Sequence, residues 1–153
     1  MKYKVVTVAL VSVLFAGCAS VPSASKEDTA KAKQFAAPAS GNAGVYIYRK
    51  DTPVGAALKK DVWIDGKCIG ETASGVFFYE EVAGGQEHKL STESEFSPND
   101  LVVKTESGKN YFVEQSIKMG VFVGGAKLES VSEDEGKKEV TKLKLATKGK
   151  CSK

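Results

Sequence analysis

The sequence predicts an all-β fold: an antiparallel β-sandwich of about seven to eight strands with a short C-terminal helix, placed after a cleaved leader and a flexible tether. Three observations lead to it. From Gly44 onward, short runs rich in Val, Ile, Phe and Tyr recur at roughly ten-residue spacing, separated by glycine-bearing turns. Asp65-Gly66 stands between two such runs and supplies the positive φ of a type I′ hairpin turn. Apolar residues make up 42% of the 153 and charged residues 27%, a balance that suits one globular core.

Taken in order, the chain opens on Lys2 and Lys4, then the apolar run Val5–Phe15, then Ala16-Gly17 and Cys18. This charged, apolar, small-residue order has the shape of a secretory signal. The run is about half the roughly 20 residues needed to cross a bilayer core. Leu14-Phe15-Ala16-Gly17-Cys18 resembles the lipobox of bacterial lipoproteins, with Phe15 where Leu is usual. The resemblance implies thioether-linked diacylglycerol on Cys18, palmitate among the acyl chains, and cleavage just before it. Ala19 and Ser20 follow; the absence of an Asp there resembles lipoproteins sorted to the outer membrane. The expected organisation is a signal peptide over 1–17, a lipidated tether over 18–43, a β-sandwich over 44–131, a helix over 132–146 and a polar tail over 147–153.

Within the tether, Ser25 with Asp28 three residues later predicts a short capped helix running toward Phe35. The first strand is Val45–Arg49. Val62–Ile64 and Lys67–Ile69 form a hairpin on Asp65-Gly66. Val76–Val82 and Glu87–Thr92 are expected to form a second, across Ala83-Gly84-Gly85. Leu101–Thr105 and Tyr111–Ile117 are expected to form a third, across Ser107–Asn110, with a last strand over Lys127–Val131. Ser132 with Glu135 predicts an N-capped helix carrying Val140 and Leu143, in which Gly136 costs about 1 kcal/mol.

An ordered set of these stretches resembles the bacterial lipoprotein domain called domain of unknown function 2846. The set is Gly44–Arg49, Val62–Lys67 with Ile69-Gly70, Gly75–Tyr79, Gly84-Gly-Gln-Glu-His88 and Ser107–Phe112, so the resemblance spans roughly 43–118. It implies fold and envelope location and no activity. The Asp-Gly hairpin followed by Gly-Gly-x-x-His is also similar, more loosely, to PEGA-type and prealbumin-like sandwiches, which tend to be envelope or binding modules.

Little in the chain points to catalysis. His88 is the sole histidine, and any nucleophile dyad would need it with a serine or Cys68 nearby. There is no Gly-x-Ser-x-Gly elbow, no close ligand pair for a metal and no phosphate loop. Glu80 and Glu81 are adjacent on a strand and point to opposite faces. Glu133-Asp-Glu135 sits where a helix start favours acids. Met119–Gly125 reads as an apolar loop or edge strand, or as a sticky edge for a partner. No catalytic residue, metal site or cofactor is therefore expected.

Two sets of residues carry the remaining expectations. With Cys18 consumed by lipid, Cys68 and Cys151 are an even remainder that a disulfide would join in an oxidising compartment; a buried free Cys68 with a free Cys151 is the alternative. Tyr46, Tyr48 and Arg49 are of the types that dominate binding hot spots and are expected at a partner surface. Lys and Arg total 22 against 19 acids, and Lys2 and Lys4 leave with the leader, so no nucleic-acid partner is indicated. The expected protein is a non-enzymatic lipoprotein, anchored in the outer membrane by its lipid and facing the periplasm. It would bind or scaffold another envelope component, a protein or a glycan. The competing expectations are a small periplasmic hydrolase using His88 and a purely structural or stress-response lipoprotein.

Overall fold

Along the first strand Tyr46 and Tyr48 alternate with Val45 and Ile47, and all four are buried. Successive strand residues point to opposite faces, so this strand needs a cover on each side. The computed structural model, which describes residues 17–96 and 99–152, supplies both covers. The signal peptide expected over 1–17 lies, but for Gly17, outside the described residues.

The elements in chain order are α1 (Lys26–Ala32), β1 (Asn42–Arg49), β2 (Lys60–Ile64), β3 (Lys67–Thr72), β4 (Val76–Ala83), β5 (Glu87–Thr92), β6 (Asn99–Lys104), β7 (Asn110–Lys118), β8 (Gly125–Val131), α2 (Glu133–Val140) and β9 (Lys144–Leu145). The strands form two sheets, β8-β7-β1-β4-β9 and β3-β2-β5-β6. The fold is all-β, as the periodicity predicts. Val45, Ile47, Val62, Ile64, Phe78, Leu90 and Val113 fill the space between the sheets. Full burial of each such side chain stabilises by about 1.5–3 kcal/mol. A second core lies on the outer face of the larger sheet, where Tyr46, Tyr48, Phe77 and Phe112 pack with Val140, Leu143 and Phe35. The spacer helix and α2 are the lids of that second core.

The Asp65-Gly66 hairpin forms, with φ of 50° and 77° at the two turn residues and β2 antiparallel to β3. The other two expected hairpins do not. β4 and β5 lie in different sheets, as do β6 and β7. β4 is buried at Val76, Phe77 and Phe78 and needs a place beside β1, where it pairs antiparallel. The connection after it therefore crosses to the other sheet. Gly84 makes the crossing possible: a Cβ there would stand 2.5 Å from Ser107 Cα. β7 returns beside β1 in parallel, Tyr46 opposite Phe112, and β9 runs parallel to β4. The larger sheet is thus mixed rather than wholly antiparallel.

Both ends of the described chain are tied down. Residues 19–43, expected to stand off as a tether, are laid on the sandwich: the Ala19 N–H donates to Ala56 O at 2.9 Å, Ala24 N–H to Leu145 O at 2.8 Å, and Thr147 N–H to Pro22 O at 2.9 Å. The apolar side chains of Ala32 and Phe35 explain the docking, since the outer core would otherwise face water. The C-terminal helix stops at Val140, short of the expected 146, because Lys144 and Leu145 pair with β4. The tail then runs across β3, with Gly149 N–H on Ile69 O at 3.0 Å. These pairings cover the β9 and β3 edges.

Candidate functional site

A mostly apolar cleft of about 490 Å³ lies between α1, the outer face of β1 and β4, and the tail. Its walls are small, Ala24, Ala32, Ala36 and Ala37 on one side and Leu145–Lys148 on the other, and its floor is Tyr46 and Tyr79. Ser25 caps the start of α1 through the Asp28 N–H at 2.9 Å, and Tyr46 Oη donates to Ala32 O at 2.9 Å, so the end of the helix is pinned to the sheet. The tyrosine rings lie 4.6 Å apart, and Tyr46 stacks on Phe112 at 4.8 Å. Burial, with Glu81 beside it, pushes the Tyr79 hydroxyl up to about 12, so it stays protonated and donates to Glu81 at 3.2 Å. Hydrogen bonds from Asn42, the Ala39 N–H and Tyr79 together outweigh desolvation and hold Glu81 below its ordinary value, which leaves a fixed negative charge in the cleft. Asp28, Lys31 and Lys148 line it as well. A cavity of this size and lining accepts an amphipathic group, apolar end inward.

His88 occupies a smaller concavity with Asp65, Lys67, Glu80 and Gln86. Its Nδ1 lies 2.6 Å from Asp65 Oδ2 and its Nε2 2.8 Å from Ala83 O. Burial lowers the imidazole pKa, but the bonds to Asp65 and Ala83 outweigh it and hold the group above its ordinary 6.5. Both nitrogens face acceptors, so each is best served as an N–H donor. No Ser, Thr or Cys lines this concavity. The arrangement can pin a turn; it offers no lone pair to activate a nucleophile.

The surface expected at Tyr46, Tyr48 and Arg49 is not there. The three residues are 2%, 0% and 3% exposed. Tyr46 and Tyr48 lie under α1, Phe35 and α2, and Tyr48 Oη donates to Glu114 at 3.3 Å. Arg49 is turned inward to donate to Leu58 O at 2.6 Å and to Gly55 O, so its charge closes a loop rather than meeting a partner. Cys68 and Cys151 form a disulfide, with Cα atoms 5.9 Å apart. Cys18 is exposed, with a free thiol.

Of two further features, the first escaped sequence reasoning and the second was read from it as an apolar loop or sticky edge. The first is a buried polar cluster. Gln115 Nε2 donates to Thr92 Oγ1 at 2.8 Å, Thr92 Oγ1 to Asp61 O at 2.8 Å, and Lys60 pairs with Glu93 at 3.2 Å. Ser152 seals it, its N–H 2.8 Å from Asp61 Oδ2. Lys60 and Asp61 open β2, and the returning tail reaches Asp61 through Ser152. The second is the β7–β8 loop, where Met119, Val121, Phe122 and Val123 are all exposed. The sequence showed an apolar loop there and nothing of its surroundings. Among the described residues no helix is long and apolar enough to cross a membrane, and no three His, Cys, Asp or Glu side chains converge to hold a metal ion.

Comparison with known proteins adds a family and a relative. The family model described as Protein of unknown function (DUF2846) matches residues 39–126. A Haemophilus influenzae chain carrying the description "Uncharacterized protein" is 60% identical over 136 residues, which cover 89% of this chain and 80% of that one. No solved structure matches the chain. The family match takes in the cleft floor at Tyr46 and Tyr79 and leaves out the walls at Ala24–Ala37 and Leu145–Lys148.

Proposed function

Since the chain belongs to the DUF2846 family, whose description assigns no activity, we propose its role from the site: a non-enzymatic envelope lipoprotein, anchored through acylated Cys18, that binds an amphipathic group of another envelope component in the alanine–tyrosine cleft. The observation that carries this reading is the cleft itself. Its volume lies in the range of small-ligand sites, and its mostly apolar lining carries a few charged side chains, Asp28, Lys31, Glu81 and Lys148. The order Lys2, Lys4, Val5–Phe15, Ala16-Gly17-Cys18 supports anchoring, and Ala19-Ser20 in place of an Asp supports the outer membrane, facing the periplasm. The doubly occupied His88 supports binding over turnover.

The test is a pull-down of the native lipidated protein from membranes, with crosslink mapping, beside an Ala36→Trp variant that fills the cleft. Loss of the captured component, with circular dichroism unchanged, is the expected result. Crosslinks that map elsewhere and ignore Ala36→Trp would reject the cleft. A hydrolytic activity that disappears in a folded His88→Ala variant would replace binding by the enzyme reading.

A further inference from the structure

We propose that the apolar loop between β7 and β8 is a membrane-contact surface, which seats the domain against the same bilayer that holds its lipid. The inference rests on the anchoring at Cys18 proposed above and adds an orientation to it.

The loop presents Met119, Val121, Phe122 and Val123, with Phe122 84% and Met119 89% exposed. Single exposed apolar residues are ordinary; four within five positions on one loop are not. Phe96, also exposed, joins them through its neighbour Glu95. The Glu95 carboxylate accepts from the N–H of Val121 at 2.7 Å, Phe122 at 2.5 Å and Val123 at 3.4 Å. One side chain thus satisfies the donors of the loop crest while the apolar side chains point away. A loop entering a water-poor region needs its backbone groups satisfied from within the protein.

A second line of contacts brings the anchor to this loop. Ala19, the residue after Cys18, donates its N–H to Ala56 O at 2.9 Å. Ala56 lies in the segment 53–58 that Arg49 clamps at Gly55 and Leu58. The same segment is wedged against both ends of the apolar loop. A Cβ on Gly55 would meet Ile117 at 2.5 Å, and one on Gly124 would meet Leu58 Cδ1 at 2.6 Å. Cys18 is exposed beside this joint. Acyl chains on it therefore leave the protein next to Met119–Val123, with no free spacer between anchor and domain. Exposed Lys118 at the loop's base suits anionic headgroups. The bilayer is the occupant to which the chain delivers this patch; nothing comparable delivers a second copy to it.

The test uses the chain made with its leader, purified from membranes, and reconstituted in vesicles of phosphatidylethanolamine and phosphatidylglycerol doped with brominated phosphatidylcholine. In a Trp63→Phe background, Phe122→Trp reports the loop. Lys67→Trp, at the start of β3 opposite Ile64, reports the turn end of the β2–β3 hairpin, about 15 Å from the 53–58 segment at the rise of a strand. The expected result is a blue-shifted Phe122→Trp emission with roughly two-fold or greater quenching, and an unquenched Lys67→Trp. Mass spectrometry of the N-terminus separates the two ideas. An acylated, vesicle-bound protein whose two probes are equally unquenched overturns the docking and leaves the anchor standing. An unacylated N-terminus removes the anchor and this inference with it. A blue shift that grows with protein concentration in detergent, before vesicles are added, assigns the loop to a second copy and also overturns the docking.

Discussion

His88 Nδ1 stands 2.6 Å from Asp65 Oδ2, and this contact joins the Asp65-Gly66 turn of the smaller sheet to the connection between the sheets. The other oxygen of Asp65 accepts the Lys89 N–H at 2.8 Å, and the other nitrogen of His88 reaches Ala83 O. One imidazole thus spans a hairpin turn and the point where the chain leaves β4 for β5. Its placement three residues after Gly85 follows from that span: the crossing must fold back before β5 begins.

The pair makes stability depend on pH in a definite direction. The folded-state pKa of His88 is raised, so its contribution is fully present below its ordinary 6.5 and is lost as pH rises through the folded value. That of Asp65 is lowered, chiefly by the His88 hydrogen bond, so its contribution is present above its ordinary 3.8 and lost as pH falls through the folded value. The domain should therefore be most stable between these limits and lose stability as pH rises from the ordinary 6.5 through the folded-state value of His88. A His88→Gln variant should be less stable at the acidic end, by about 1–3 kcal/mol, and flatter across the range. Denaturant midpoints at several pH values measure this. Parallel pH profiles for the two proteins would show that the pair is not linked to folding.

What was legible in the sequence was local. Asp65-Gly66 demanded positive φ, Ser25 and Ser132 demanded helix starts, and all three form. The alternation in Val45–Tyr48 correctly divided the side chains between two faces. It carried no information on whether the second face was covered, because the cover comes from Phe35, Val140 and Leu143, distant in sequence. The exposed Tyr46–Arg49 surface failed for that reason. The second and third hairpins failed because turn residues mark a change of direction and not a change of sheet. Gly84 looks the same in a hairpin loop and in a crossing pressed against Ser107.

Gly136 shows the same limit with a sign that can be measured. Helix propensity alone makes Gly136→Ala stabilising by about 1 kcal/mol. In the fold, Gly136 is buried against β7, and a Cβ would stand 2.2 Å from Phe112 Cγ and 2.3 Å from its Cβ. Those atoms sit close to the backbone and cannot swing away. Gly136→Ala should therefore destabilise, by about 1–3 kcal/mol. Thermal unfolding decides it: a raised midpoint would mean that α2 shifts outward at little cost.

The disulfide closes a long loop, 83 residues in sequence separation, and ties the tail over β3. The chain-entropy limit for such a loop is about 4–5 kcal/mol. Cys151→Ser should lose a large share of that and also release Ser152 from Asp61, exposing the buried polar cluster. Reductant should shift the wild-type denaturation midpoint toward that of the variant. A wild-type curve indifferent to reductant, with free thiols found on both cysteines, would contradict the bond.

Arg49 supplies the sharpest contrast between a surface role and a structural one. Its guanidinium is buried and ends on two carbonyl oxygens of the 53–58 segment, Leu58 O and Gly55 O. Desolvation lowers its pKa without removing its charge under any ordinary condition. Arg49→Ala would leave both carbonyls without this donor and open a hole beneath the loop. Its expected cost is about 2–4 kcal/mol, with faster amide exchange at Gly55–Leu58. Arg49→Lys should recover only part, because one ammonium on a longer search cannot reproduce a fixed fork. The Ala19 N–H bond to Ala56 O depends on the same segment, so exchange at Ala19 should quicken in step. A residue that served a partner surface would behave the other way: Arg49→Ala would lose binding and keep its unfolding midpoint. Unfolding and hydrogen exchange on the same variant therefore separate the two roles, and an unchanged midpoint would return Arg49 to the surface.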